Sequence, residues 1–192
     1  MDGNKNLKII AKIENTFKNN GYSTNVALVV KNLFNYMIRK YLHGCCHSFS
    51  SVLYVALSEI NLNPKLLIGE CRIHSMPPFD HSWIVLNDKI IDIAIYLPLD
   101  NSYKCVEGPI ILDKDVVTNK RHHIEYGINT GLPWSPQTDR TIHTCFSEYM
   151  SKCPWEVDGL WTVLQMILPE TITIDVTQLK EKYKDTKRIV VR

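Results

Sequence analysis

A thiol, an imidazole and a carboxylate occur in this chain in an order that suits acyl-transfer chemistry. Gly44-Cys45-Cys46-His47-Ser48 opens an apolar-periodic stretch, His81-Ser82-Trp83 opens an alternating one 35 residues after Cys46, and Asp92 follows on the next run. Cysteine attacks as its thiolate, and an ordinary thiol titrates near pH 8.5. A helix N-terminus and a nearby histidine both favour the thiolate and bring that value toward neutrality. A carboxylate on the other nitrogen of the histidine holds its tautomer and orientation. Nucleophile, base and orienter are all available within residues 44–92.

The flanking elements have to bring these groups together. Phe49, Val52, Leu53, Ala56, Leu57 and Ile60 recur at helical spacing, which predicts a central helix from about Cys46 to Ile60. Gly44 allows a tight entry into it. Lys65 to Arg72 reads as a buried strand, Met76 to Asp80 as a loop, and His81–Leu86 and Lys89–Tyr96 as two strands joined at Asn87-Asp88. With a two-residue turn there, Leu86 faces Lys89, Trp83 faces Asp92 and His81 faces Ala94. His81 and Asp92 then share one face, diagonal to each other at roughly 7–8 Å. A loop one residue longer or shorter would send Asp92 to the opposite face.

Two further amphipathic helices are expected before this unit, over residues 6–19 (Ile9, Ile10, Ile13, Phe17) and 25–42 (Val26 through Tyr41). Beyond residue 100 the pattern weakens. A strand is expected at Pro109–Leu112, irregular chain over 116–140, and helices near 141–151, 157–167 and 176–185. The tail Lys180 to Arg192 reads as a solvated face. The aromatic residues Trp134, Phe146, Tyr149, Trp155 and Trp161 read first as packing.

The run Gly44-x-Cys46 before an apolar helix, then Asn-Pro-Lys-Leu-Leu-Ile-Gly69, His81-x-Trp83-Ile-Val-Leu and Ile-Ile-Asp92, resembles the core of the transglutaminase-like (papain-like) cysteine hydrolase superfamily. It is similar in particular to the branch that contains the B2-type leader peptidases of lasso-peptide maturation. The resemblance covers about residues 44–96, roughly a quarter of the 192 residues. It implies an α+β fold in which a central helix packs on an antiparallel sheet. N-terminal helices (1–43) and a mixed, partly helical C-terminal region (99–192) would elaborate the core (44–98) within a single domain. In the family pattern the nucleophile lies about twenty-three residues before the glycine ending the first strand, and counting back from Gly69 selects Cys46, not Cys45. The resemblance makes Cys46 the nucleophile, His81 the base and Asp92 the orienter.

Bulk properties narrow the alternatives. The chain is 45% apolar and 22% charged with a formal net charge of +2, so no basic field for nucleic acid is indicated. No apolar run is long enough to span a membrane. The first residues, Met-Asp-Gly-Asn-Lys-Asn, lack a secretory signal, so a cytoplasmic protein is expected, compatible also with signal-independent secretion. The six cysteines are then mostly reduced. His43-x-Cys45-Cys46-His47 and Cys71-x-x-His74 are rich in ligand types, but neither carries the paired spacing of structural zinc. No metal or cofactor is expected, and no glycine-rich phosphate loop is present. The expectation is a Cys-His-Asp enzyme that hydrolyses an amide in a peptide or protein through a thioester, as a peptidase or deamidase. The alternatives are a transglutaminase acting on protein glutamine and a non-catalytic binding protein on the same fold.

Overall fold

Three helices precede any strand: α1 (Gly3–Asn19), α2 (Thr24–Arg39) and α3 (Cys46–Glu59). The computed structural model describes residues 3–74, 76–100 and 106–192; Cys105 lies outside them. Each helix forms because its apolar residues fall on one stripe. In α1 the stripe is Ile9, Ile13 and Phe17; in α2 it runs from Val26 to Ile38; in α3 it includes Phe49, Val52, Leu53 and Ala56. The α1 stripe packs on α2, and α3 packs between α2 and the sheet.

The strands are β1 (Lys65–Ile73), β2 (Phe79–Leu86), β3 (Lys89–Asp92), β4 (Ile110–Ile111), β5 (Lys114–Asp115), β6 (Ile124–Ile128) and β7 (Ile189–Val191). They form one curled sheet in the order β5-β4-β3-β2-β1-β6, antiparallel throughout except that β7 pairs parallel with β1. The fold is therefore α+β. Four helices follow the sheet's main run: α4 (Pro136–His143), α5 (Phe146–Ser151), α6 (Leu160–Ile167) and α7 (Val176–Lys182). Of these, α6 packs against both α2 and α3, with Trp161 wholly buried. A single buried apolar cluster runs from Ile9 to Tyr183. No helix among the described residues is long and apolar enough to cross a membrane.

The hairpin register is the one the Asn87-Asp88 turn predicts: Leu86 faces Lys89, Val85 faces Ile90 and Ile84 faces Ile91. Both turn residues have positive φ, at 49° and 58°, as a type I′ turn requires.

Several expectations are corrected. Strand β3 stops at Asp92 instead of continuing to Tyr96, and Ala94–Tyr96 forms a short 3₁₀ turn. The cause is local: the Asp92 carboxylate accepts the Ile95 N–H at 3.1 Å, which curls the chain out of the sheet. Ala94 is thus not opposite His81 in a ladder. Strand β2 begins at Phe79, inside the expected loop. The stretch expected to be irregular contains β6 and the start of α4, and the stretch read as one helix is α4 and α5 broken at Thr144-Cys145. The tail is not merely a solvated face, since β7 lies on β1 beside β6.

Candidate active site

Gly44 brings the chain to the head of α3. Its φ of +64° suits glycine, its N–H donates to the Leu97 carbonyl at 3.0 Å, and a Cβ there would stand 2.8 Å from the Leu99 side chain. The first helical bond is Phe49 N–H to the Cys45 carbonyl at 2.9 Å. Cys45 occupies the N-cap without capping the helix through its side chain. The first-turn N–H groups of α3, that of Cys46 among them, have no carbonyl a turn earlier to bind. They point positive partial charge toward the Cys46 side chain.

His81 and Asp92 stand on neighbouring strands β2 and β3, and both are buried. His81 Nε2 lies 2.7 Å from Asp92 Oδ2. The same carboxylate oxygen accepts the Tyr126 hydroxyl at 2.8 Å, while Oδ1 takes the Ile95 N–H. With Nε2 committed to Asp92, Nδ1 is the ring nitrogen left for Cys46, which lines the same cavity as His81 and feels its charge. The three residues singled out from the sequence are therefore brought together.

The electrostatics separate the adjacent thiols. Burial alone would raise the Cys46 value, but the charges of His47 and His81 and their hydrogen bonds outweigh it and hold Cys46 well below the ordinary thiol range. Cys45 is pushed up to about 11, first by burial and then by the charge of Cys46, and its Sγ donates to the His43 carbonyl at 3.3 Å. Cys71, wholly buried beneath the site, is raised by burial and by Asp92 and Cys46. For His81, burial opposes the imidazolium, yet the Asp92 carboxylate and the Cys46 thiolate bring its value up to about 10. Cys46 and His81 thus favour the thiolate–imidazolium form.

Some site residues carried no signal at the start. Tyr126 comes from β6, in the stretch expected to be irregular; its ring centroid is 4.9 Å from that of the buried Trp83. His47 follows Cys46 in the first turn of α3. Its ring is buried, with Nδ1 at 2.7 Å from Ser82 Oγ and Nε2 at 3.1 Å from Thr138 Oγ1 on α4. Ser135 joins that chain: its hydroxyl donates to Thr138 Oγ1 at 3.0 Å, and its N–H donates to Asp80 at 2.8 Å. Glu70, buried on β1, accepts both the N–H and the hydroxyl of Thr130.

Cys46, His47 and His81 open onto a cavity of about 490 Å³. Phe79, Leu97, Leu99, Leu132 and Pro133 give it apolar walls, and Glu70, Asp80 and Asp100 give it carboxylates. No three described His, Cys, Asp or Glu side chains are grouped to hold a metal ion. A carboxylate-oriented imidazole against a thiolate, with an accessible cavity beside the sulfur, has the chemical means to add to a carbonyl carbon. No protein-family model, curated protein or solved structure matches the chain. The residues themselves carry the functional reading.

Proposed function

We propose that the protein is a cysteine-dependent acyl-transfer enzyme of the transglutaminase-like kind, hydrolysing an amide bond in a peptide or protein. The observation that carries the reading is the 2.7 Å His81–Asp92 pair with Cys46, at the head of α3, lining the same cavity as the His81 ring. The Cys46 thiolate attacks the amide carbonyl, forming the S–C bond and an oxyanion. The Cys46 backbone N–H at the head of α3 is a natural donor to that oxyanion. Collapse breaks the C–N bond, and the His81 imidazolium gives its proton to the departing amine. The neutral imidazole then takes a proton from water, whose oxygen attacks the thioester. Release of the carboxylic acid returns the thiolate and the imidazolium. Asp92 holds the ring throughout and offsets its charge.

A second acceptor is favoured by one feature of the cavity. It presents Glu70, Asp80 and Asp100, and no described lining residue is Lys or Arg. Such a wall attracts a cationic amine, which would resolve the thioester as a transglutaminase does. Incorporation of a fluorescent primary amine into a glutamine-containing protein, against release of ammonia or a cleaved peptide, separates the two outcomes.

The primary test is thiol reactivity. Iodoacetamide at neutral pH is expected to modify Cys46 well ahead of the exposed Cys145, and His81→Ala is expected to slow that reaction. If Cys46 reacts no faster than Cys145, the enzyme reading fails.

A further inference from the structure

Two leucines stand uncovered at the cavity. Leu99 is 81% exposed and Leu132 is 54% exposed, and both line the space that Cys46 and His81 line. A single exposed leucine is ordinary on a protein surface. These two differ because the chain on either side of each is fastened while the side chain is left in water. Before Leu99, the Leu97 carbonyl accepts the Gly44 N–H at 3.0 Å and the Pro98 carbonyl accepts His43 Nδ1 at 2.9 Å. The Leu99 side chain then lies against Gly44, where a Cβ would stand 2.8 Å from it, two residues before Cys46. At Leu132, the carbonyl accepts Arg192 at 3.1 Å. On either side of it the Thr130 and Ser135 N–H groups donate to Glu70 at 2.9 Å and to Asp80 at 2.8 Å. Phe79, Leu97 and Pro133 continue the apolar surface between them.

Resting on the enzyme reading above, we propose that Leu99 and Leu132 are specificity-determining residues. They form an apolar clamp that selects an acyl donor with a large aliphatic or aromatic side chain on the residue supplying the carbonyl. The acyl part of the substrate stays on the sulfur through both steps, and Leu99 is seated beside the chain that delivers that sulfur. A side chain of this kind, closing between the two leucines, takes its own apolar surface and theirs out of water together. A charged head carried to the same place would lose water without gaining that burial. The nearby carboxylates have a different task. Glu70 and Asp80, opposite each other on β1 and β2, hold the Leu132 segment to the sheet through its N–H groups. Their charge favours an amine as the second reactant and leaves the choice of acyl group to the leucines.

The test uses N-acetylated aminoacyl vinyl sulfones with leucine, phenylalanine, alanine or lysine side chains, below saturation, followed by mass spectrometry of the intact protein. The Cys46 thiolate adds to the vinyl carbon remote from the sulfone, and the carbon beside the sulfone takes a proton. Each rate is divided by that of the same probe with free glutathione, which removes differences between the electrophiles. In wild type the leucine and phenylalanine probes are expected to exceed the alanine probe by about tenfold or more, the low end of what burying such a side chain supplies. The lysine probe is expected to match alanine. Leu99→Ala and Leu132→Ala are each expected to bring the leucine-to-alanine ratio down to about threefold, since each removes part of the apolar surface. Equal leucine and alanine rates in wild type would overturn the inference, and so would a lysine probe that leads the series. A ratio that neither variant lowers would overturn it as well, because the preference would then belong to other parts of the wall. The wild-type series stands even if a variant does not fold. Failure of the enzyme reading shows separately, with a reagent that carries no side chain: iodoacetamide would modify Cys46 no faster than Cys145.

Discussion

Asp92 is the residue on which the site's titration turns, because it accepts three hydrogen bonds, from His81, Tyr126 and Ile95. Asparagine there has one acceptor oxygen: placed to take the ring N–H and the hydroxyl, it turns its amide donors on the Ile95 N–H, and flipped it turns them on the ring and the hydroxyl. Catalysis in the proposed form needs the thiolate and the imidazolium together. That pair is present above the lowered Cys46 value and is lost as pH rises through the His81 value of about 10. Asp92→Asn is expected to pull the alkaline limb of kcat/KM toward neutrality and to cut the plateau by roughly 10²–10⁴-fold, the range of a general acid–base contribution. Tyr126→Phe removes one hydrogen bond to the carboxylate, and about fivefold is expected from a loss of about 1 kcal/mol. The same groups set a stability profile. The folded His81 value lies above the ordinary imidazole value of about 6.5, so its contribution is complete below about 6.5 and is lost as pH rises through about 10. Cys46 is depressed, so its contribution is present above the ordinary thiol value and is lost as pH falls through its own. Thermal melts across pH 6–10 are expected to show an alkaline decline in wild type that Asp92→Asn flattens.

At the scale of elements, one glycine decides how the sheet is completed. A Cβ on Gly69 would stand 2.6 Å from the backbone oxygen of Val191 and 3.0 Å from the Trp83 ring, so β7 reaches β1 only because residue 69 has no side chain. The carbonyl cannot swing away like a side-chain tip. Gly69→Ala is therefore expected to lift β7 from Leu67–Gly69 and to cost roughly 1–3 kcal/mol, read as a lower melting temperature and faster amide exchange at residues 189–191. This strand also shows where sequence reading stops. The three N-terminal helices were legible because their stripes are long, and the hairpin because Asn87-Asp88 fits a turn that needs two positive φ values. That register put His81 and Asp92 on one face, and the helix start favoured Cys46. A three-residue strand between Arg188 and Arg192 carries too little periodicity to be seen. In β6, Ile124 is buried, Glu125 is exposed and Gly127 follows at φ 73°, so the alternation is cut after two steps. Tyr126 and Thr138 therefore gave no sign of their roles: each reaches the site only through tertiary pairing of segments far from residues 44–92.

Across the whole molecule, the region beyond residue 100 supplies the other wall of the cavity. Leu132, Pro133, Ser135 and Thr138 face Cys46 and His81 from that side. Two arginines flanking β7 fasten this wall. Arg188 donates to the Thr141 carbonyl at 3.0 Å and lies over the Tyr149 ring at 4.5 Å. Arg192 donates to the Leu132 carbonyl at 3.1 Å and lies over the Trp134 ring at 3.5 Å. Neither arginine lines the cavity, and both add to the bonds of Ser135 with Asp80 and of Thr130 with Glu70 that hold this wall to the sheet. A loss at Arg192 should then change how substrate is held more than how the thiolate reacts. The contact is worth about 0.5–1 kcal/mol as a cation–π pair and about 1 kcal/mol as a hydrogen bond. Arg192→Ala is expected to raise KM about tenfold to thirtyfold while leaving kcat and the rate of Cys46 alkylation near wild type. Arg192→Lys, which keeps the charge but not the planar stack on Trp134, is expected to fall between the two. Equal losses in kcat and in alkylation rate would mean instead that the wall transmits strain to α3, and the division of labour between the two halves of the cavity would be wrong.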